Sequence, residues 1–262
     1  MLAQHTLDQL RSLRLDGLVA ALQDPATTHA AADLDFHARL ALLVQREIDW
    51  RDDKRLARLL KAAQLKVSGA CLQDIDWRAS RGLNRALMAE LAGVGWVREG
   101  RSVLLTGATG CGKTWLACAL ARQAARAGHA VLYTRTARLL EELHVAHGDG
   151  SFKRRLGQLA RLQLLVLDDF ALTPIVPHER ADLLELLDDR VGTRATIITS
   201  QLPPAAWHAW LGEPTLADAI LDRVVHGAHK IALKGESMRR SRAASNTSVT
   251  EAAMAEEISQ GG

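Results

Sequence analysis

The chain has 262 residues, 48% hydrophobic and 24% charged, with a formal net charge of +3. That length supports one well-buried domain with a smaller companion, and no apolar run approaches the roughly 18–20 residues of a membrane span. Residues 1–22 mix Asp8, Arg11, Arg14 and Asp16 into their apolar pattern, unlike a secretory signal, and Cys71, Cys111 and Cys118 form no disulfide framework, so a cytoplasmic, membrane-free protein is expected.

Residues 1–68 read as a small all-α domain. Leu7, Leu10, Leu18 and Leu22 fit one stripe, while Phe36, Leu40, Val44 and Ile48 recur every fourth residue, the spacing of one helix face. Pro25, within Asp24-Pro25-Ala26-Thr27-Thr28, separates the two patterns. A long charged helix is expected over 46–66, with seven basic and four acidic residues. Gly69 and residues 74–77 read as a linker into a second domain, 69–240, and the Ala/Ser/Glu-rich residues 241–262 as a flexible tail.

From about residue 80 short apolar runs alternate with helical patterns. Strands are expected at 103–105, 130–133, 164–167 and 196–199, with 230–233 as a candidate fifth. Helices are expected at 113–127, around 138–144 and at 177–191, with a polar loop over 147–151. Strands joined through helices need crossover connections, so the second domain is expected to be α/β, a parallel five-stranded sheet flanked by helices.

The first strand runs into Gly107-Ala108-Thr109-Gly110-Cys111-Gly112-Lys113-Thr114, a complete phosphate-binding loop placed between a strand and a helix. Gly107, Gly110 and Gly112 let successive N–H groups turn inward, and the helix opening at Lys113 adds the positive end of its dipole. Lys113 is placed to reach the β- and γ-phosphates of ATP, and the Thr114 hydroxyl to hold Mg²⁺; Ala108, Thr109 and Cys111 fill variable positions. Asp168, ending the third strand, is the expected second Mg²⁺ carboxylate. Asp169 is the candidate for orienting the attacking water, with a capping role as the alternative. After the fourth strand, Gln201 is the candidate γ-phosphate sensor and Ser200 the alternative, with a strand-ending polar turn before Pro203-Pro204 as the other reading.

Positive charge concentrates in three places: Arg51, Lys54, Arg55 and Arg58 with Lys61 on the long helix; Lys153, Arg154 and Arg155 with Arg161; and residues 230–242, including Lys234, Arg239, Arg240 and Arg242. Such residues track phosphates without reading sequence, which makes them candidates for duplex DNA. On the long helix, Glu47, Asp49, Asp52 and Asp53 keep an ion-paired face open as the alternative. Residues 151–161 contain no acid and read as loop-like. One tyrosine and three phenylalanines provide no stacking platform for single strands, and the six tryptophans read as core or interface anchors. His144 with His147, and His226 with His229, have three-residue spacing but no ligand set that completes a metal site.

Several stretches, in this order, resemble the IstB-like transposition helper ATPases of the AAA+ superfamily, relatives of the DnaC-type helicase loaders. They are residues 10–18, 55–63, 81–87, the phosphate loop, Leu165-Val166-Leu167-Asp168-Asp169-Phe170, Thr199-Ser200-Gln201-Leu202-Pro203 and residues 222–231. The resemblance spans about residues 5–240. It implies an ATP-hydrolysing protein that forms a homo-oligomer on duplex DNA and prepares a target for its cognate transposase. It also implies a site closed by a neighbouring subunit's arginine, for which Arg223 is the matching position. An intrachain pair of Arg223 with Asp218 or Asp222 is the alternative, and Arg239 or Arg240 is a weaker candidate for a second sensor. A replicative helicase loader is the alternative function; the N-terminal stretches match the transposition helper better.

Overall fold

The computed structural model describes residues 2–24, 27, 33–77 and 81–235. The predicted tail at 241–262, the cations Arg239, Arg240 and Arg242, and the break at Pro25 lie outside them. Contacts divide the chain into two compact units, Met1–Leu59 and Leu60–Gly262.

In the first unit, α1 (Leu2–Ser12) and α2 (Asp16–Gln23) precede α3 (Phe36–Ala63), whose last residues belong to the second unit. Gly17 lets α2 approach α3: a Cβ there would stand 2.7 Å from the Trp50 Cβ and 2.8 Å from the Glu47 Cα. The approach buries Glu47, whose Oε2 accepts the Leu18 N–H at 3.0 Å. That donor lies in the first turn of α2 and has no partner within its own helix. The Glu47 Oε1 accepts from Arg51 Nε at 2.6 Å. Burial raises the Glu47 carboxyl, but bonds from Arg51, Leu18 and Gly17 outweigh it and hold the group below the usual carboxylate range. Phe36, Leu40, Val44 and Ile48 are exposed, so their spacing signals a helix and not a buried face.

The second unit starts with the end of α3, where Gln64 adopts a φ of +50° and turns the chain. Asn84 caps α4 (Arg85–Ala92) by accepting the Ala86 and Leu87 N–H groups at 2.8 and 3.3 Å. Then come β1 (Val103–Gly107), α5 (Lys113–Arg126), β2 (Val131–Arg135), α6 (Thr136–Gly148), α7 (Phe152–Arg161) and β3 (Leu164–Phe170). The remainder is α8 (Pro177–Asp188), β4 (Ala195–Ser200), α9 (Pro204–Leu211), α10 (Pro214–Val225) and β5 (His229–Leu233). The five strands pair in parallel in the order β2-β3-β4-β1-β5. One correction concerns residues 151–161, which read as loop-like because polar residues dominate them. They form α7, which buries Leu156 and Leu159 one helical turn apart.

Leu104, Leu165, Leu167 and Ile198 pack on one sheet face with the apolar sides of α6 to α10, while α5 crosses the sheet against β1 to β4. Between Leu167, opposite Ile198, and Phe170, opposite Ser200, β3 carries one more residue than β4. This bulge returns Phe170 to the face of Leu167, where both join the same apolar cluster. Asp169 and Ala171 take φ of +57° and +60°, a sparsely populated region for side chains other than glycine.

Arg190, 1% exposed, stitches the turn after α8 to its neighbours. Its guanidinium donates to the carbonyls of Leu159 (2.6 Å), Leu162 (3.0 Å) and Ala195 (2.5 Å) and to Thr196 Oγ1 (3.1 Å). Burial, with a smaller push from Arg194, lowers its pKa to about 9.

Two outcomes follow for stability. Arg190→Met removes these four hydrogen bonds to buried acceptors and is expected to cost about 3 kcal/mol, read as a lower denaturant midpoint; an unchanged midpoint contradicts the role. The contribution of Glu47 is present above its unfolded pKa and is lost as pH falls through the lower folded value. Glu47→Gln should therefore cost about 1 kcal/mol at neutral pH and close to nothing in acid, by denaturant unfolding at both. An equal loss at both pH values argues against it.

Candidate nucleotide-binding site

β1 ends in the phosphate loop, and its geometry accounts for the glycines at both ends. Gly107 has a φ of +142°, and a Cβ there would run into the Leu233 carbonyl of β5. Gly112, at φ +98°, opens α5 in a left-handed conformation. Ala108 and Thr109 are exposed at the tip, and Cys111 is buried beneath. The first turn of α5 has no side-chain cap, so its N–H groups face the loop. The Lys113 side chain folds over the loop, its ammonium donating to the carbonyls of Gly107 and Ala108 at 2.6 and 2.8 Å.

Asp168 is fully buried, and three hydroxyl groups converge on its carboxylate. Thr114 Oγ1, from the first turn of α5, lies 2.9 Å from Oδ1 and 3.1 Å from Oδ2. Thr199, near the end of β4, donates to Oδ1 at 2.5 Å, and Tyr133, on β2, donates to Oδ2 at 2.5 Å. Burial and the bond to Asp168 push the Tyr133 hydroxyl well above its ordinary pKa, so it stays a donor. The Asp168 main-chain carbonyl accepts from Thr136 Oγ1 at 3.1 Å. Burial likewise raises the Cys118 thiol, one turn along α5 from Thr114. Thr114 and Asp168 thus present oxygen donors of the kind hard divalent cations take.

The bulge sets Asp169 apart from its neighbour. Its N–H donates to Thr199 Oγ1 at 3.1 Å, and its carboxylate, partly exposed, lies 3.8 Å from Arg135 Nε. Ser200 is buried, with its hydroxyl on the Phe170 carbonyl at 2.8 Å and the indole N–H of Trp207 at 3.2 Å from it. Gln201, the next residue, is exposed. Tyr133 and Thr199 escape the sequence reading. The signal for Thr199 is β alternation, because it lies one residue before Ser200 and faces the Asp168 side of the sheet. Nothing in the sequence marks Tyr133.

Arg223 on α10 pairs with Asp188 rather than with Asp218 or Asp222: Nε lies 2.6 Å from Asp188 Oδ1, and Nη1 donates to the Ala219 carbonyl at 2.9 Å. Asp218 and Asp222 sit on the same helix as Arg223, but Asp188 is brought to it by packing of α8 on α10. Among the basic residues, Arg51 pairs with Glu47, Lys54 with Asp16 at 3.2 Å, and Arg155 with Glu142 at 2.9 Å. The last pair crosses from α7 to α6, so the absence of acids within 151–161 did not leave Arg155 unpaired. Lys153, Arg154, Arg55 and Arg58 are exposed. His147 meets Asp182 at 2.9 Å and the His144 ring lies tilted against that of His178, and no group of three or more metal-ligating side chains forms among the described residues. Among these residues no helix is long and apolar enough to cross a membrane.

The model of the IstB-like ATP binding protein family matches residues 8–246. The chain belongs to that family. It is 55% identical over 203 residues to the ATP-binding protein of insertion sequence IS1162 of Pseudomonas fluorescens, covering 78% of this chain and 88% of that one. It is 46% identical over 242 residues to an insertion-sequence ATP-binding protein of Sinorhizobium fredii, covering 92% and 98%. Among solved structures, the DnaC helicase loader shares its fold with a TM-score of 0.55 at 21% identity, covering 63% of this chain and 97% of that one. DnaI does so with a TM-score of 0.53 at 23% identity, covering 68% and 94%. The IstB-like chain therefore has an AAA+ fold and belongs to a family described as ATP binding.

Removing the Tyr133 hydroxyl leaves Asp168 one donor short without opening the sheet. Tyr133→Phe should lower unfolding stability by about 1.5–3 kcal/mol, the range for a bond to a charged group. A thermal or denaturant midpoint equal to that of the unaltered protein would place the Asp168 compensation elsewhere.

Proposed function

We propose that this IstB-like chain is the ATP-hydrolysing helper of an insertion sequence, assembling as a homo-oligomer on duplex DNA and presenting target DNA to its partner transposase. The observation that carries the ATPase part is the contact of Thr114 with buried Asp168, which joins the phosphate loop to an acidic strand end. The insertion-sequence relatives support the biological setting.

The residues fit a nucleotide with a divalent cation: Gly107 and Gly112, at φ of +142° and +98°, let the loop curl, and Thr114 and Asp168 offer adjacent oxygens. The loop N–H groups and the start of α5 hold the phosphates, and the Lys113 ammonium exchanges its two loop carbonyls for phosphate oxygens. Thr114 and Asp168 would hold a Mg²⁺ ion, whose chemistry there would be neutralisation of phosphate charge. Asp169, turned out of the ladder by the bulge, orients and deprotonates the attacking water. Gln201 lies past the end of β4, between the strands that carry the loop and Asp168, as a γ-phosphate sensor requires. Arg223 leaves Asp188 to reach the γ-phosphate of a neighbouring subunit, where such an arginine is worth roughly 10³–10⁵ in rate.

For DNA, Lys153 and Arg154 on α7, together with Arg55 and Arg58, supply the exposed cations. Arg51, Lys54 and Arg155 contribute after exchanging their carboxylate partners for phosphates, a smaller net gain.

ATP turnover with and without duplex DNA tests this reading. Turnover should rise with DNA and fall at least a hundredfold in Lys113→Ala (about 2.7 kcal/mol of barrier). Turnover indifferent to DNA removes the DNA-dependent helper, and turnover surviving in Lys113→Ala removes the site.

A further inference from the structure

Asp168 has a fourth neighbour that the proposed ATPase mechanism does not use. The Lys66 ammonium lies 3.8 Å from its Oδ2, and the Lys66 side chain remains one-third exposed while Asp168 has no exposure. Lys66 comes from neither the sheet nor the phosphate loop. It lies on the segment that leaves α3, just beyond the left-handed turn at Gln64. That segment is fastened to α5: Arg122, two turns along from Thr114, donates to the carbonyls of Gly69 and Ala70 at 3.2 and 3.5 Å. The ammonium is therefore delivered to the carboxylate by an anchored stretch of chain.

A buried carboxylate needs a counter-charge as well as hydrogen bonds. Three hydroxyls meet the second need, and Lys66 meets the first. A divalent cation held by Thr114 and Asp168 would meet the same carboxylate, and two cations sharing one carboxylate repel each other strongly at these distances. Lys66 has an exposed side to which its ammonium can swing at little cost, because long lysine stems keep their heads in water readily.

We propose that Lys66 is the resident counterion of Asp168 and that the divalent cation arriving with the nucleotide displaces it, so that metal loading is transmitted into segment 64–70. This rests on the reading of Thr114 and Asp168 as the metal-holding pair. The segment is continuous with α3, whose first part belongs to the N-terminal unit, so the displaced lysine gives that unit a covalent route to the state of the site.

The test is a Mg²⁺ titration of nucleotide binding to the full chain, followed with a fluorescent ATP analogue, in the unaltered protein, Lys66→Met and Lys66→Arg. Removing the competing cation should lower the Mg²⁺ midpoint about tenfold in Lys66→Met, solvent screening of a partly exposed pair keeping the effect to that size. Lys66→Arg should titrate like the unaltered protein. Amide exchange in 64–70 should quicken on adding Mg²⁺ and nucleotide to the unaltered protein and should already be fast in Lys66→Met. A midpoint unchanged or raised in Lys66→Met overturns the proposal, the raised value meaning that Lys66 assists the nucleotide directly. Lys113→Ala separates the two readings. If it still binds the analogue, the site itself is misplaced; if it does not, an unchanged Lys66→Met midpoint removes the counterion role alone.

Discussion

A carboxylate withdrawn wholly from water is among the costliest groups a fold can contain, and here Asp168 sits where β2, β3, β4 and α5 meet. Its compensation comes from Thr114 on α5, Tyr133 on β2 and Thr199 on β4, each within hydrogen-bond reach only if all three elements lie in one register. Slipping β4 by one residue would turn Thr199 away and present Ser200, whose hydroxyl is needed by the Phe170 carbonyl and Trp207. The nucleotide site and the centre of the sheet are thus held by the same contacts.

The strand order supplies the rest of the geometry. With β4 inserted between β1 and β3, the phosphate loop and the acidic strand end stand one strand apart, and a polar residue closing β4 falls between them. The bulge in β3 then separates two adjacent aspartates. Asp168 stays in the sheet and is buried, while Asp169, at φ +57°, turns outward toward Arg135. Backbone held in such a region persists because its surroundings enforce it. The enforcing contacts here are Phe170 in the apolar cluster and the Asp169 N–H on Thr199.

Charge on this molecule is more paired than its sequence implies. Arg51, Lys54, Arg155 and Arg223 all have carboxylate partners, three of them from a different helix. Apart from the buried Glu47, these groups are exposed or half-exposed, and such pairs are weak, on the order of 0–1 kcal/mol, so they act less as glue than as placeholders that a stronger anionic partner can replace. Under the proposed function, a duplex backbone and a neighbour's γ-phosphate would be such partners. Lys66 beside Asp168 follows the same logic with the signs exchanged, a cation standing where a stronger cation is wanted.

The sequence alone determined the phosphate loop, the acidic strand end, the parallel α/β class and the family, because each is written in contiguous residues with a local physical meaning: glycines where a loop must curl, apolar runs where a strand is buried on both faces. It also named Gln201 and Arg223 as candidates by their position in recognisable stretches. It did not determine which groups compensate Asp168, since Tyr133, Thr199 and Lys66 lie far apart along the chain and none is unusual in its own segment. Nor did it determine that 151–161 is a helix, that Arg223 rests on Asp188, or that the stripe from Phe36 to Ile48 faces water. Those were decided by tertiary structure, because hydrogen bonds, ion pairs and burial depend on what packing brings within a few ångströms, and a linear pattern records only which face a residue occupies.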